Sequence, residues 1–136
     1  MEQPKKILII DDETVLLELL SSKMRQSGFI AIEARDGDEG LQKALSEHPD
    51  LILLDIIMPK MDGVTMLKKL REDPWGKNVL VVVLTNLNTA ESVEKSLANG
   101  VYDYLVKIDY TLDELVEIVK KRIVQQEEKN KQNKQD

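Results

Sequence analysis

Several polar side chains of this sequence stand where short apolar runs stop. Asp11, Asp12 and Glu13 follow "KILII" (6–10), Asp55 closes "LILLD" (51–55), Thr85 closes "VLVVVLT" (79–85) and Lys107 follows "DYLV" (103–106). An apolar run that reads as a strand covered on both faces is a costly place for an unpartnered carboxylate, so Asp55 belongs at a strand end, among partners. If the strands carrying these residues are neighbours, the polar groups converge on one edge. Carboxylates within about 4 Å of one another repel by roughly 1 to 4 kcal/mol per pair, and such a cluster calls for a cation. Oxygen-only ligands with open coordination positions suit Mg²⁺, which favours phosphate oxygens. A hydroxyl and an ammonium facing that metal are what a phosphoryl group on Asp55 would require. Asp55 then reads as a nucleophile.

The elements that must position these groups alternate along the chain. Strand candidates are 6–10, "AIEA" (31–34), 51–55, 79–85 and 103–106. Between them apolar residues recur at helical spacing: Leu16, Leu20 and Met24 before the stop signal Ser27-Gly28; Leu41, Ala44 and Leu45 after a turn at Asp36-Gly37; Met66, Leu67 and Leu70; and Ala90, Val93 and Leu97 before Asn99-Gly100. Leu112, Leu115, Val119 and Ile123 mark a fifth, the most amphipathic. Five alternating βα units with apolar central strands predict a doubly wound α/β fold, a parallel sheet with helices on both faces. In such sheets function gathers at the carboxyl ends of the strands. The tail 125–136 has no apolar residue and reads as a helix extension, a linker or a disordered segment.

Composition narrows the function classes. The chain of 136 residues fits one domain, 1–124, with no second domain or internal repeat after it. Without cysteine there is no disulfide and no thiolate metal site. The absence of a signal peptide or a long apolar run predicts a soluble, cytoplasmic protein with no membrane partner. A net charge of −6 and a pI near 4.9 argue against nucleic acid as a direct ligand and favour a cation or a basic partner surface.

Taken singly, most of these residues have plainer readings. Asp11 or Asp12 would cap the first helix, Thr85 would be an ordinary strand residue and Lys107 a surface lysine. His48, the only histidine, reads as an exposed helix end beside Pro49, without a catalytic role. The set is more specific than its members. "ILIIDDE", "PDLILLDIIMPKMDG", "VVVLTN", "NGVYDYLVK" and "LDELVEIVKKRI", in this order from residue 5 to about 124, resemble a response-regulator receiver domain, the phosphoacceptor half of a two-component system.

That resemblance implies a flavodoxin-like sheet of five strands in the order 2-1-3-4-5 with five helices. It implies phosphorylation of Asp55 by a histidine kinase or a phosphotransfer protein, and Mg²⁺ held by Asp12, Asp55 and the carbonyl of Ile57, with Asp11 acting through metal-bound water. Thr85 and Tyr104 would be a switch pair and Lys107 the phosphate-binding lysine. Phosphorylation adds about −1.5 to −2 of charge. The Thr85 hydroxyl would be drawn toward it, Tyr104 would turn inward, and a protein-binding face on the last two helices and fifth strand would change. A half-buried strand aromatic is the plainer reading of Tyr104. The protein would be a signalling switch rather than an enzyme, a monomer or a phosphorylation-dependent dimer. Its output protein is unnamed by the sequence.

Three departures from the family pattern stand out. Lys107 precedes Ile108 where receivers usually have proline, and a trans Lys107–Ile108 bond is expected because a cis bond before a non-proline residue costs roughly 2.5 to 4 kcal/mol. The loop then leads into a helix cap at Thr111 or Asp109. Asn86 stands where a small residue is usual. Ile57 and Leu87, which flank the path of attacking water, offer it no hydrogen bond. Ile57 also weighs against a haloacid-dehalogenase-type phosphohydrolase, which needs an acid two residues after its nucleophile and a cap that a chain this short lacks. A receiver used only as a binding module, without phosphorylation, is opposed by the joint presence of Asp12, Asp55, Thr85 and Lys107. With no DNA-binding segment after the last helix, the chain reads as a stand-alone regulator or a piece of a longer one.

Overall fold

A computed structural model describes residues 3–55, 63–85, 103–106 and 110–135. Five parallel strands, β1 (Lys6–Ile10), β2 (Ile30–Ala34), β3 (Leu51–Asp55), β4 (Leu80–Thr85) and β5 (Asp103–Val106), form one sheet in the order β2-β1-β3-β4-β5. Among the described residues the helices are α1 (Thr14–Gln26), α2 (Gly37–Glu47), α3 (Gly63–Glu72) and a C-terminal helix, Leu112–Gln135. The helix expected around Ala90, Val93 and Leu97 lies outside the described residues.

The central strands β1, β3 and β4 are nearly continuous apolar runs because both of their faces are covered. Alternate residues divide between two cores. Ile7, Ile9, Leu51, Leu53, Leu80, Val82 and Leu84 pack with Leu17, Leu20 and Met24 of α1 and with Leu115, Val116, Val119 and Ile123 of the C-terminal helix. Leu8, Ile10, Ile52, Leu54, Val81 and Val83 pack with Ala44 of α2 and with Met66, Leu67 and Leu70 of α3. All five residues of β3 are buried, Asp55 included.

Chain turns follow from local chemistry. Gly28 at φ +93° ends α1: its N–H donates to the Arg25 carbonyl at 3.1 Å and the Phe29 N–H to that of Met24 at 3.0 Å, the paired bonds of a Schellman motif. Asp36 caps α2, its carboxylate accepting from the Glu39 N–H at 2.8 Å, so Asp36-Gly37 is a helix start rather than a free turn. Thr111 and Glu114 cap the C-terminal helix reciprocally, each backbone N–H donating to the other's side chain at 3.1 Å. That helix continues through the polar stretch to Gln135, with Lys5 and Glu127 paired at 3.0 Å.

β2 begins one residue earlier than expected, at Ile30, and β4 one later, at Leu80. β2 is the sheet edge. Arg25 and Lys43 donate to its Ala31 and Glu33 carbonyls, so part of its outer rim is occupied by side chains rather than left for another strand.

Candidate functional site

The site begins with register. Ile10 of β1 pairs with Ala34 of β2 on one side and with Leu54 of β3 on the other. One residue further on, the same row holds Arg35, Asp11 and Asp55, and the Asp11 N–H donating to the Ala34 carbonyl at 3.0 Å carries the ladder to that edge. Asp55 in turn pairs with Leu84, which places Thr85 one step beyond it on β4, with Val106 as its β5 partner. The carboxyl ends of four adjacent strands therefore bring their polar residues to one edge of the sheet.

Asp11 and Asp55 are almost completely buried and Asp12 is exposed. One carboxylate oxygen of each lies within 4.8 Å of the others. Asp11 does not cap α1. Its Oδ1 accepts the Glu13 N–H at 2.9 Å, and Glu13 is itself the N-cap, with no side-chain capping bond. At an effective dielectric of about 20, two such charges less than 5 Å apart repel by roughly 3 kcal/mol.

Two buried acids side by side with one exposed acid form a hard, oxygen-only donor set. That set fits a divalent cation of the Mg²⁺ type, which keeps some of its waters and accepts carboxylate ligands. Asp11, Asp12 and Asp55 are thus brought together as expected. For Thr85 and Tyr104 the backbone positions are described, Tyr104 pairing with Val83. Ile57, Asn86, Leu87, Lys107 and the Lys107–Ile108 bond lie outside the described residues.

Arg35 and the aromatic partner of His48 were not singled out by sequence reasoning. Arg35 is exposed at the carboxyl end of β2 and, among the described residues, has no hydrogen bond or ion pair. At the opposite end of the sheet, His48 ends α2 in the left-handed region, φ 48°, and stacks on Trp75 with ring centroids 4.3 Å apart and planes 8° from parallel. The stack lies at the end of the sheet opposite to the acids.

Comparison with known proteins agrees with this geometry. A family model described as a response regulator receiver domain matches residues 7–120. The chemotaxis protein CheY of Treponema pallidum is 37% identical over 107 residues, covering 76% of this chain and 73% of that protein. The alkaline phosphatase synthesis transcriptional regulatory protein PhoP of Bacillus subtilis is 39% identical over 105 residues, 76% of this chain but 42% of that regulator. The chain thus spans about two fifths of such relatives' length. Among solved structures, a CheY-like receiver domain protein from Methanospirillum hungatei superposes with a TM-score of 0.83 at 28% identity, covering 93% of this chain and 98% of that one. The Borrelia burgdorferi CheX-CheY-BeF3-Mg²⁺ complex gives 0.74 at 31% identity, covering 85% and 87%.

Proposed function

The chain belongs to the response regulator receiver domain family, and from that membership we propose that Asp55 is the residue at which it accepts a phosphoryl group. The observation that carries this reading is the meeting of the Asp11, Asp12 and Asp55 carboxylates at the carboxyl edge of the sheet, with Asp55 on the central, fully buried strand. A carboxylate oxygen of Asp55 attacks phosphorus as the donor bond breaks. With a phosphohistidine donor that is the P–N bond, whose electron pair returns to the imidazole nitrogen, and the product is an acyl phosphate on Asp55.

Asp11, Asp12 and Asp55, with the Ile57 carbonyl, would hold Mg²⁺. When bound, the ion offsets the charge of the acids and of the phosphoryl oxygens. Leu84, the register partner of Asp55 on β4, and Leu54, which precedes it on β3, are both buried, and this apolar surrounding would limit solvent access to the Asp55 carboxylate. Thr85 would then hydrogen-bond the phosphoryl oxygens and Lys107 would neutralise them. The Thr85 and Tyr104 pair would pass the change to a protein-binding face, which makes the chain a switch rather than a metabolic enzyme. A histidine kinase or phosphotransfer protein would be the donor and a further protein the output partner.

The test is intact-mass measurement after incubation with acetyl phosphate and Mg²⁺. A single phosphoryl adduct is expected, absent in Asp55→Asn and in EDTA. An adduct that persists in Asp55→Asn would assign the acceptor elsewhere. No adduct in the unaltered chain would instead favour a binding module that is not phosphorylated.

A further inference from the structure

Arg35 occupies a particular place. Register continued one residue past the β1–β2 and β1–β3 pairs puts Arg35, Asp11 and Asp55 in one row across three adjacent strands. Adjacent strands are about 4.8 Å apart, so the row spans about 10 Å, within the combined reach of an arginine side chain and a phosphoryl group. The flanking residues have their work within the chain. Ala34 is buried under α2, and Asp36 caps that helix. Arg35 alone of these is exposed with no hydrogen bond or ion pair among the described residues.

A guanidinium is costly in entropy to hold still and is usually paired when it stands close to carboxylates. Here Arg35 follows Ala34 in the register beside Asp11, one of a group of three acids, on a chain of net charge −6. That surrounding field repels any phosphoryl donor, because every such donor is an anion.

We propose that Arg35 is a donor-binding residue: its guanidinium takes the phosphoryl oxygens of the incoming donor at the rim of the site and draws them toward Asp55. The inference rests on the reading of Asp55 as acceptor and adds a residue to it. The planar fork of donors suits two phosphoryl oxygens at once, which an ammonium does not reproduce in full. The same positive charge opposes cation binding at the neighbouring acids. Arg35 therefore favours the donor and disfavours Mg²⁺, and a residue that only supported the fold would not do both.

The experiment follows phosphorylation of the full chain by intact mass over a range of donor concentrations. It uses acetyl phosphate, in which the P–O bond breaks and acetate leaves, and monophosphoimidazole, in which the P–N bond breaks and imidazole leaves. In Arg35→Ala the donor concentration giving half the maximal rate is expected to rise about five- to tenfold, with the limiting rate nearly unchanged, and Arg35→Lys should recover part of the loss. The difference should shrink at high salt. Calorimetric titration should show Mg²⁺ binding about two- to threefold tighter in Arg35→Ala.

An effect on monophosphoimidazole marks phosphohistidine as the donor chemistry Arg35 serves; an effect confined to acetyl phosphate marks an acyl phosphate. Wild-type concentration dependence in Arg35→Ala with both donors overturns the proposal, as does a fall in limiting rate with no change in half-saturation. Adduct formation in Asp55→Asn is a separate result, and it overturns the acceptor reading instead.

Discussion

Gly40 of α2 and Ile10 of β1 are packed so closely that a β-carbon on Gly40 would stand 2.5 Å from the Cδ1 of Ile10 and 2.9 Å from its Cγ1. Ile10 is fully enclosed and is the last residue of β1 before Asp11. The close approach of α2 therefore clamps the strand end from which two of the three acids project.

Gly40→Ala tests that clamp. In an open helix the change would stabilise by about 1 kcal/mol. Here the added methyl meets the interior branch of a buried side chain, and overpacking of that kind costs roughly 1 to 3 kcal/mol. A net loss of about 1 kcal/mol is expected in urea unfolding, with weaker Mg²⁺ binding because the end of β1 shifts. A stabilised variant with unchanged metal affinity would show that the contact is slack.

Asp11→Asn separates charge from shape. Asparagine keeps the oxygen that accepts the Glu13 N–H and removes one of two neighbouring buried charges. Without metal the variant should be more stable than the parent, by up to about 3 kcal/mol on the Coulomb scale for charges this close. Saturating Mg²⁺ should raise the parent's melting temperature and raise that of Asp11→Asn much less. Equal Mg²⁺ shifts in the two proteins would remove Asp11 from the metal site.

The parts of this site that were legible in the sequence are those where one residue type has few alternatives. A run of four aliphatic residues closed by an acid has one economical reading, and β3 is Leu51–Asp55 as expected. β2 was harder to bound. Ile30 is an edge residue, 43% exposed, and it follows directly on the Schellman turn at Gly28, so nothing in its local pattern separates it from the loop. Asp36-Gly37 has the composition of a turn, and the capping bond to Glu39 that makes it a helix start is a matter of three-dimensional placement. Arg35 is hidden in the sequence for a related reason: an exposed arginine after a strand looks like solvated surface until sheet order sets it beside Asp11. The His48–Trp75 stack joins residues 27 positions apart, beyond the range of any periodicity.

The lifetime of the phosphoryl group should respond to residue 87. If Ile57 and Leu87 flank the attacking water, as the receiver resemblance implies, their aliphatic side chains offer that water neither a hydrogen bond nor a base. Leu87→Glu is expected to shorten the lifetime severalfold when dephosphorylation is followed by mass after the donor is removed. Hydrolysis that stays the same or slows would show that apolar cover is not what sets the rate.

Thr111→Ala should loosen the start of the C-terminal helix. The threonine hydroxyl accepts the Glu114 N–H while the Glu114 carboxylate accepts the Thr111 N–H, so the change breaks one bond of a reciprocal pair and leaves its partner less well held. Loss of such a cap costs about 0.5 to 2 kcal/mol. The exposure of the first turn predicts faster amide exchange at residues 112–115 with little change elsewhere, which hydrogen exchange would resolve.

Removing residues 125–136 tests where the folded unit ends. The last core residue of the C-terminal helix is Ile123, and every residue from Gln125 onward is polar. One contact of the extension with the body is the Lys5–Glu127 pair, whose side chains are each about one third exposed. Pairs of that kind contribute about 0 to 1 kcal/mol. A helix shortened by three turns also loses propagation bonds, but those near its end fray and contribute little. Truncation after Val124 is therefore expected to lower stability by no more than about 1 kcal/mol and to leave the acetyl phosphate adduct at Asp55 unchanged. A loss of several kcal/mol, or a chain that no longer accepts the phosphoryl group, would place the extension inside the folded unit and move the boundary from residue 124 to the end of the helix at Gln135.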